Sequence, residues 1–163
     1  FAYNLKIFID EARAKGAHPI LVTPTSRRRF DENGKSVNTH GDYPDAVRWV
    51  AAKENVPLIE LNGMTAILFN ALGVDNSTKA FVHYPAGTFP GQTRTLKDNT
   101  HFSTYGAYEV SKCVIEGMKK ADLEIVKYLR PDYSGFDPAQ PDSFESFKWN
   151  LGSFTENEKP DGN

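Results

Sequence analysis

Cysteine is almost missing from these 163 residues: Cys113 stands alone. That excludes an internal disulfide and a zinc site built on cysteines. No apolar run approaches the ~18 residues that would cross a membrane. Neither sign of charge dominates, since 19 lysines and arginines face 21 acids for a net charge of −2. General attraction to nucleic acid or to an anionic membrane is therefore excluded. Apolar residues are scarce as well, at 39%, below the usual globular range, so part of the chain is expected to pack little. There is no internal repeat. No serine stands in a G-D-S or G-x-S-x-G setting, so no nucleophile announces itself. The chain opens on Phe1, and nothing in the residues themselves assigns a compartment.

What the chain does have is an ordered alternation of helical and strand patterns. Asn4 to Lys15 reads as a helix with Leu5, Phe8, Ile9 and Ala12 inward, and Gly16 supplies the stop. Pro19 to Thr23 is a short apolar run that fits a strand buried on both faces, as in parallel sheets. A long polar loop from Pro24 to Gly41 leads to a helix opened by Asp42-Tyr43-Pro44. Val56 to Leu61 reads as a second strand, and Asn62 as the cap of a third helix that ends at Gly73. Asp75 to Lys97 reads as a long loop of the kind that serves a site or is mobile. A last helix runs from Thr104 to Lys120, with Ser103 as N-cap. Its small residues Gly106, Ala107, Ser111 and Gly117 are expected to lie close against a sheet, and Glu109/Lys112 on its polar side. The fold class is α/β. Two parallel strands cannot bury themselves, so more strands are expected beside them. From Pro131 onward the chain is acidic and rich in proline, an extended tail crossing the surface. Phe136, Phe144, Phe147, Trp149 and Phe154 argue against full disorder there.

The chemistry concentrates in Lys97-Asp98-Asn99-Thr100-His101-Phe102-Ser103-Thr104-Tyr105-Gly106. A carboxylate and an imidazole three residues apart, just before a helix docks, suit an Asp that orients and charges a general-base His. Arg27, Arg28 and Arg29 follow the first strand at the edge where open α/β sheets hold ligands. Their guanidiniums suit the carboxylate of an acidic sugar. His83 is a loop or cleft-wall candidate. Asp98 and His101 with His40 or His83 would supply a carboxylate and two histidines for a metal, an alternative unsupported by any H-x-H or H-x-x-x-H spacing.

Asp98 to Ala107 resembles the last block of the SGNH (GDSL-type) hydrolases, in the rhamnogalacturonan acetylesterase branch. Pro19 to Phe30 (PILVTPTSRRRF), Thr39 to Ala46 (THGDYPDA) and Pro57 to Leu61 (PLIEL) resemble that branch too. The resemblance covers residues 1–120 and leaves 121–163 as a helix extension and tail. It implies a three-layer αβα, flavodoxin-like parallel sheet represented here by its last two strands. The family's Ser, Gly and Asn blocks are not in this sequence, so the missing N-terminal part of the domain, or a partner chain, is expected to complete the sheet and supply the nucleophile. The implied activity is a serine acetylesterase on an acetylated acidic polysaccharide of the pectic rhamnogalacturonan type, with His101 and Asp98 catalytic and Arg27, Arg28, Arg29 and His83 meeting substrate. No cofactor and no metal belong to this reading, and the location implied is extracytoplasmic, secreted or periplasmic. A carbohydrate-binding or interaction module that lacks the Ser, and a metal-dependent hydrolase, are the alternatives.

Overall fold

The structure is a computed structural model and describes residues 1–149; Phe154 and the rest of the tail lie outside the described residues. Its elements are α1 (Ala2–Ala14), β1 (Leu21–Val22), α2 (Tyr43–Glu54), β2 (Leu58–Ile59) and α3 (Leu61–Asn76). A 3₁₀ turn (Ser77–Ala80) then leads to β3 (Phe81–Tyr84), β4 (Leu96–Phe102) and α4 (Thr104–Lys120), and a second 3₁₀ turn spans Glu124–Tyr128.

β1 and β2 pair in parallel, Leu21 opposite Leu58 and Val22 opposite Ile59. Side chains alternate across a strand, and here the two faces go to different layers. Leu21 packs with Ile9, Val50 and Val56 of the α1/α2 side. Ile59 packs with Leu61, Leu68, Phe69, Tyr105, Val110 and Cys113 of the α3/α4 side. Helices therefore cover both faces, the αβα layering expected. The strands are shorter than the apolar runs suggested, because β1 has a partner on one edge alone among the described residues. Val22 is 43% exposed, unusual for a strand residue of a parallel pair.

Local chemistry explains most element ends, with some corrections. Gly16 closes α1 with φ +75° and its N–H on the Arg13 carbonyl. Phe8, expected inward, is 65% exposed, because α1 buries the narrower stripe of Ala2, Leu5 and Ile9. The cap of α3 is Glu60, whose carboxylate accepts from Gly63 N at 3.2 Å. Asn62 instead ties the helix to the loop after β1, its N–H donating to Thr23 Oγ1 and its amide to the Pro24 carbonyl. α3 continues past Gly73 across a kink at that residue (φ 72°, ψ 178°).

The expected loop from Asp75 to Lys97 is in large part an antiparallel hairpin, β3 with β4. The apolar ends Phe81 and Phe102 pack against each other and Phe69, and only 85–95 forms the turn. α4 closes over this hairpin. Ser103 Oγ accepts from Gly106 N and donates to the Lys79 carbonyl. A Cβ on Gly106 would lie 1.9 Å from the Ala80 carbonyl oxygen, and one on Gly117 2.5 Å from Ile59 Cγ2. Those two glycines make the close approach; Ala107 and Ser111, expected beside them, face solvent.

Glu109 and Lys112 are not on a polar face. Both are buried and paired at 2.8 Å, because residues 131–149 lie across this side of α4. Lys112 also reaches Asp142 at 2.7 Å, Tyr105 donates its hydroxyl to the Asp142 carbonyl at 2.7 Å, and Glu109 accepts from Asp142 N. Burial pushes the Glu109 carboxyl above its ordinary value against the pull of Lys112. Farther along, Glu116 accepts from the Tyr133 hydroxyl and from Phe136 N. The tail is thus strapped on by α4's acids.

Candidate active site

The site is built on an irregularity in the hairpin. Phe81 pairs with Phe102, yet His83 pairs with Lys97. Four residues of β4, from Asp98 to His101, therefore stand opposite Val82 alone. A bulge of this kind re-aims side chains, and here it turns back on itself. Asp98 Oδ1 accepts from Thr100 N at 2.7 Å and His101 N at 3.0 Å, while Oδ2 meets His101 Nδ1 at 2.6 Å. The stretch just before α4 is thus a bulged strand, with Asp98 and His101 at its turn.

These contacts fix the protonation pattern. The His101 N–H, its ring and the Thr100 N–H hold the Asp98 carboxyl down at about 2. Asp98 is then a charged, acceptor-only group at any ordinary pH, so Nδ1 of His101 must carry the proton it donates. In the neutral ring this leaves the lone pair on Nε2. The His101 side chain is 77% exposed, so Nε2 is open to an incoming group. Chemically, the arrangement can accept a proton at Nε2 and stabilise the resulting imidazolium.

Asn99, between the two, points to the rest of the molecule. Its Oδ1 accepts from His83 Nε2 at 2.8 Å and from Arg28 Nη1 at 3.1 Å, and its carbonyl accepts from Arg28 N at 2.9 Å. Arg28 is further fixed by Ser77 Oγ at 3.0 Å and the Val74 carbonyl at 2.5 Å, and burial lowers its basicity. The arginine run therefore divides. Arg28 is half-buried with its donors engaged, whereas Arg27 and Arg29 are exposed. His83 lies on β3, with Nε2 engaged by Asn99. Sequence reasoning missed Asn99; its place between Asp98 and His101 was the one available signal.

His40 points away, its Nε2 on the Thr25 carbonyl at 2.8 Å. Among the described residues, no three His, Cys, Asp or Glu side chains converge to hold a metal ion. Cys113 is fully buried, its thiol pushed up to about 12 by burial. A cleft of about 610 Å³ is lined by His18, Ile20, Ile125 and Tyr128, among others, and by none of the candidate residues.

Comparison with known proteins gives the chain its relatives. No protein-family model matches the chain. The solved structure of protein YxiM from Bacillus subtilis matches with a TM-score of 0.61 at 22% identity, over 76% of this chain and 31% of that one. Rhamnogalacturonan acetylesterase RhgT of Bacillus subtilis is 43% identical over 129 residues, which are 79% of this chain and 56% of that protein. The probable rhamnogalacturonan acetylesterase YesY of the same organism is 36% identical over 125 residues, 77% of this chain and 53% of the relative. The class defined is the α/β fold of SGNH hydrolases, of which these residues hold a part. Within it, the curated relatives the chain resembles are named as rhamnogalacturonan acetylesterases. It spans about half the length of the curated relatives it matches.

Proposed function

We propose that this chain is the histidine-bearing part of a serine carbohydrate esterase that removes acetyl groups from pectic rhamnogalacturonan. The observation that carries the reading is the 2.6 Å contact from His101 Nδ1 to Asp98, with Nε2 exposed. A serine from a part of the protein outside this sequence attacks the acetyl carbonyl, and His101 Nε2 takes its proton. Asp98 holds the ring tautomer and stabilises the imidazolium. As the tetrahedral intermediate collapses, His101 returns the proton to the departing sugar oxygen. Water, deprotonated by the same nitrogen, then releases acetate from the acyl-enzyme.

The same missing part covers the open edge of β1. Arg27 and Arg29, exposed beside the bulge's Arg28 anchor, meet galacturonate carboxylates by forked hydrogen bonds. Arg28 and His83 serve the substrate through the loop they hold rather than by their engaged donors. A polymer substrate of this kind also favours an extracytoplasmic setting, secreted or periplasmic.

The test is acetate release by the complete protein from acetylated rhamnogalacturonan and from acetylated xylan. Rhamnogalacturonan is the preferred substrate, and Arg27→Gln with Arg29→Gln raises KM on it while hardly touching an aryl acetate. Preference for xylan, or equal harm to both substrates, removes the pectic assignment. Absence of esterase activity in the complete protein leaves the carbohydrate-binding alternative.

A further inference from the structure

We infer that Arg28, Asn99 and His83 form a positioning bridge that sets where the Asp98–His101 pair stands, an inference that rests on the esterase reading above. The bulge is closed from within by Asp98 alone. That closure fixes the pair's internal geometry but not its place relative to the sheet. Place is fixed by Asn99, the one bulge residue whose side chain reaches outward to β3 and to the loop after β1. Arg28 grips it twice, at the side-chain oxygen and at the carbonyl. Arg28 is itself held at Ser77 and Val74, so the bulge is referred to the end of α3 as well.

The hydrogen-bond logic runs in one direction. A guanidinium only donates, so Asn99 must present its oxygen to Arg28. The same oxygen then requires a proton on His83 Nε2. Each member fixes the orientation or tautomer of the next. Lysine at residue 28 cannot reproduce this, since a single ammonium does not span Ser77, Val74 and Asn99 at once. Catalytic geometry is sensitive at this level: a 1 Å misplacement of a reacting group costs on the order of 10²-fold.

The experiment uses the complete protein and an aryl acetate too small to reach the arginines. Variants are Arg28→Met, Asn99→Ala, His83→Leu and His83→Gln, each checked for parental folding by circular dichroism and thermal melting. Loss of the bridge is expected to lower kcat by roughly 10–100-fold with KM unchanged. His83→Gln, whose amide N–H can donate to Asn99, is expected to stay within about 3-fold of the parent. Asn99 is exposed, so Asn99→Ala keeps the test alive if Arg28→Met fails to fold. Near-parental kcat in folded Asn99→Ala and His83→Leu overturns the bridge, as does equal loss in His83→Gln and His83→Leu, or a loss confined to KM. His101→Ala runs alongside. An inactive parent, or activity that survives His101→Ala, overturns the esterase reading and the bridge with it; activity that depends on His101 but ignores the three bridge residues overturns the bridge only.

Discussion

Three hydrogen bonds onto one carboxylate decide most of what Asp98 and His101 can do. In the complete protein, His101→Ala is expected to lower kcat by roughly 10³ or more without unfolding the domain. Asp98→Asn damages kcat too, because the charge that stabilises the imidazolium and holds its tautomer is removed. A parental kcat in folded Asp98→Asn would mean that Asp98 does not act on the ring. The carboxyl itself is charged at ordinary pH. Its value is depressed to about 2, so the stability it contributes is present above the ordinary carboxylate range and is lost only as pH falls toward 2. Gly106 sets a different residue-scale limit. A methyl there meets the Ala80 carbonyl at 1.9 Å, and backbone cannot step aside. Gly106→Ala is expected at or beyond the upper end of the ~1–3 kcal/mol usual for overpacking. Gly117→Ala, which meets the movable side chains of Ile59 and Met64, is expected to cost less. Urea unfolding of the two variants, with Gly117→Ala the worse, would contradict this account.

At the scale of elements, sequence and structure part where distant segments meet. Helical spacing located α1, α2 and α4 well, since periodicity is a local property. Ser103 as cap and Gly106 and Gly117 as close-contact residues were legible for the same reason. Glu109 and Lys112 were misplaced, because an (i, i+3) pair looks alike in sequence whether water or a tail covers it. Only the strap of residues 131–149, with Asp142 at its centre, makes the pair internal. The hairpin was missed because the glycines and prolines of 85–95 outweighed the short aromatic run Phe81–Tyr84. The Asp98 and His101 pair was legible as a motif, but the bulge that aims it depends on β3, and Arg28's engagement depends on α3. Breaking the buried pair tests the strap. Lys112→Met leaves Glu109 uncompensated and is expected to cost about 3–5 kcal/mol near neutral pH. Glu109, already pushed up by burial, takes a proton more easily as pH falls, so the cost shrinks on acidification. Urea unfolding of parent and variant at pH 5 and pH 8 measures the difference; a pH-independent cost would show that Glu109's charge is not its source.

For the whole molecule, the open edge of β1 is the dominant feature. Leu21 and Thr23 donate their N–H groups to Pro57 and Ile59 of the β2 segment at 2.9 and 3.0 Å, so Ile20 and Val22 direct theirs to the other side. In the 163-residue chain, the Val22 amide is expected to exchange with solvent much faster than those of Leu21 and Thr23. In the complete protein, it is expected to slow at least tenfold as a neighbouring strand takes it up. Equal Val22 exchange in both forms would mean that this edge is solvated by design. The bulge has a consequence of another kind. Asp98 and His101 are three residues apart, whereas Arg28 and Asn99 are separated by 71. By the logarithmic rule for loop closure, meeting across the longer span costs ~3 kcal/mol more entropy. The pair can therefore persist in a chain that has lost its tertiary structure, as local contacts do in denatured ensembles. The contact between His101 and Asp98 reports local chemistry even there, while the side chain of Asn99 reports whether two distant parts of the polypeptide have found each other.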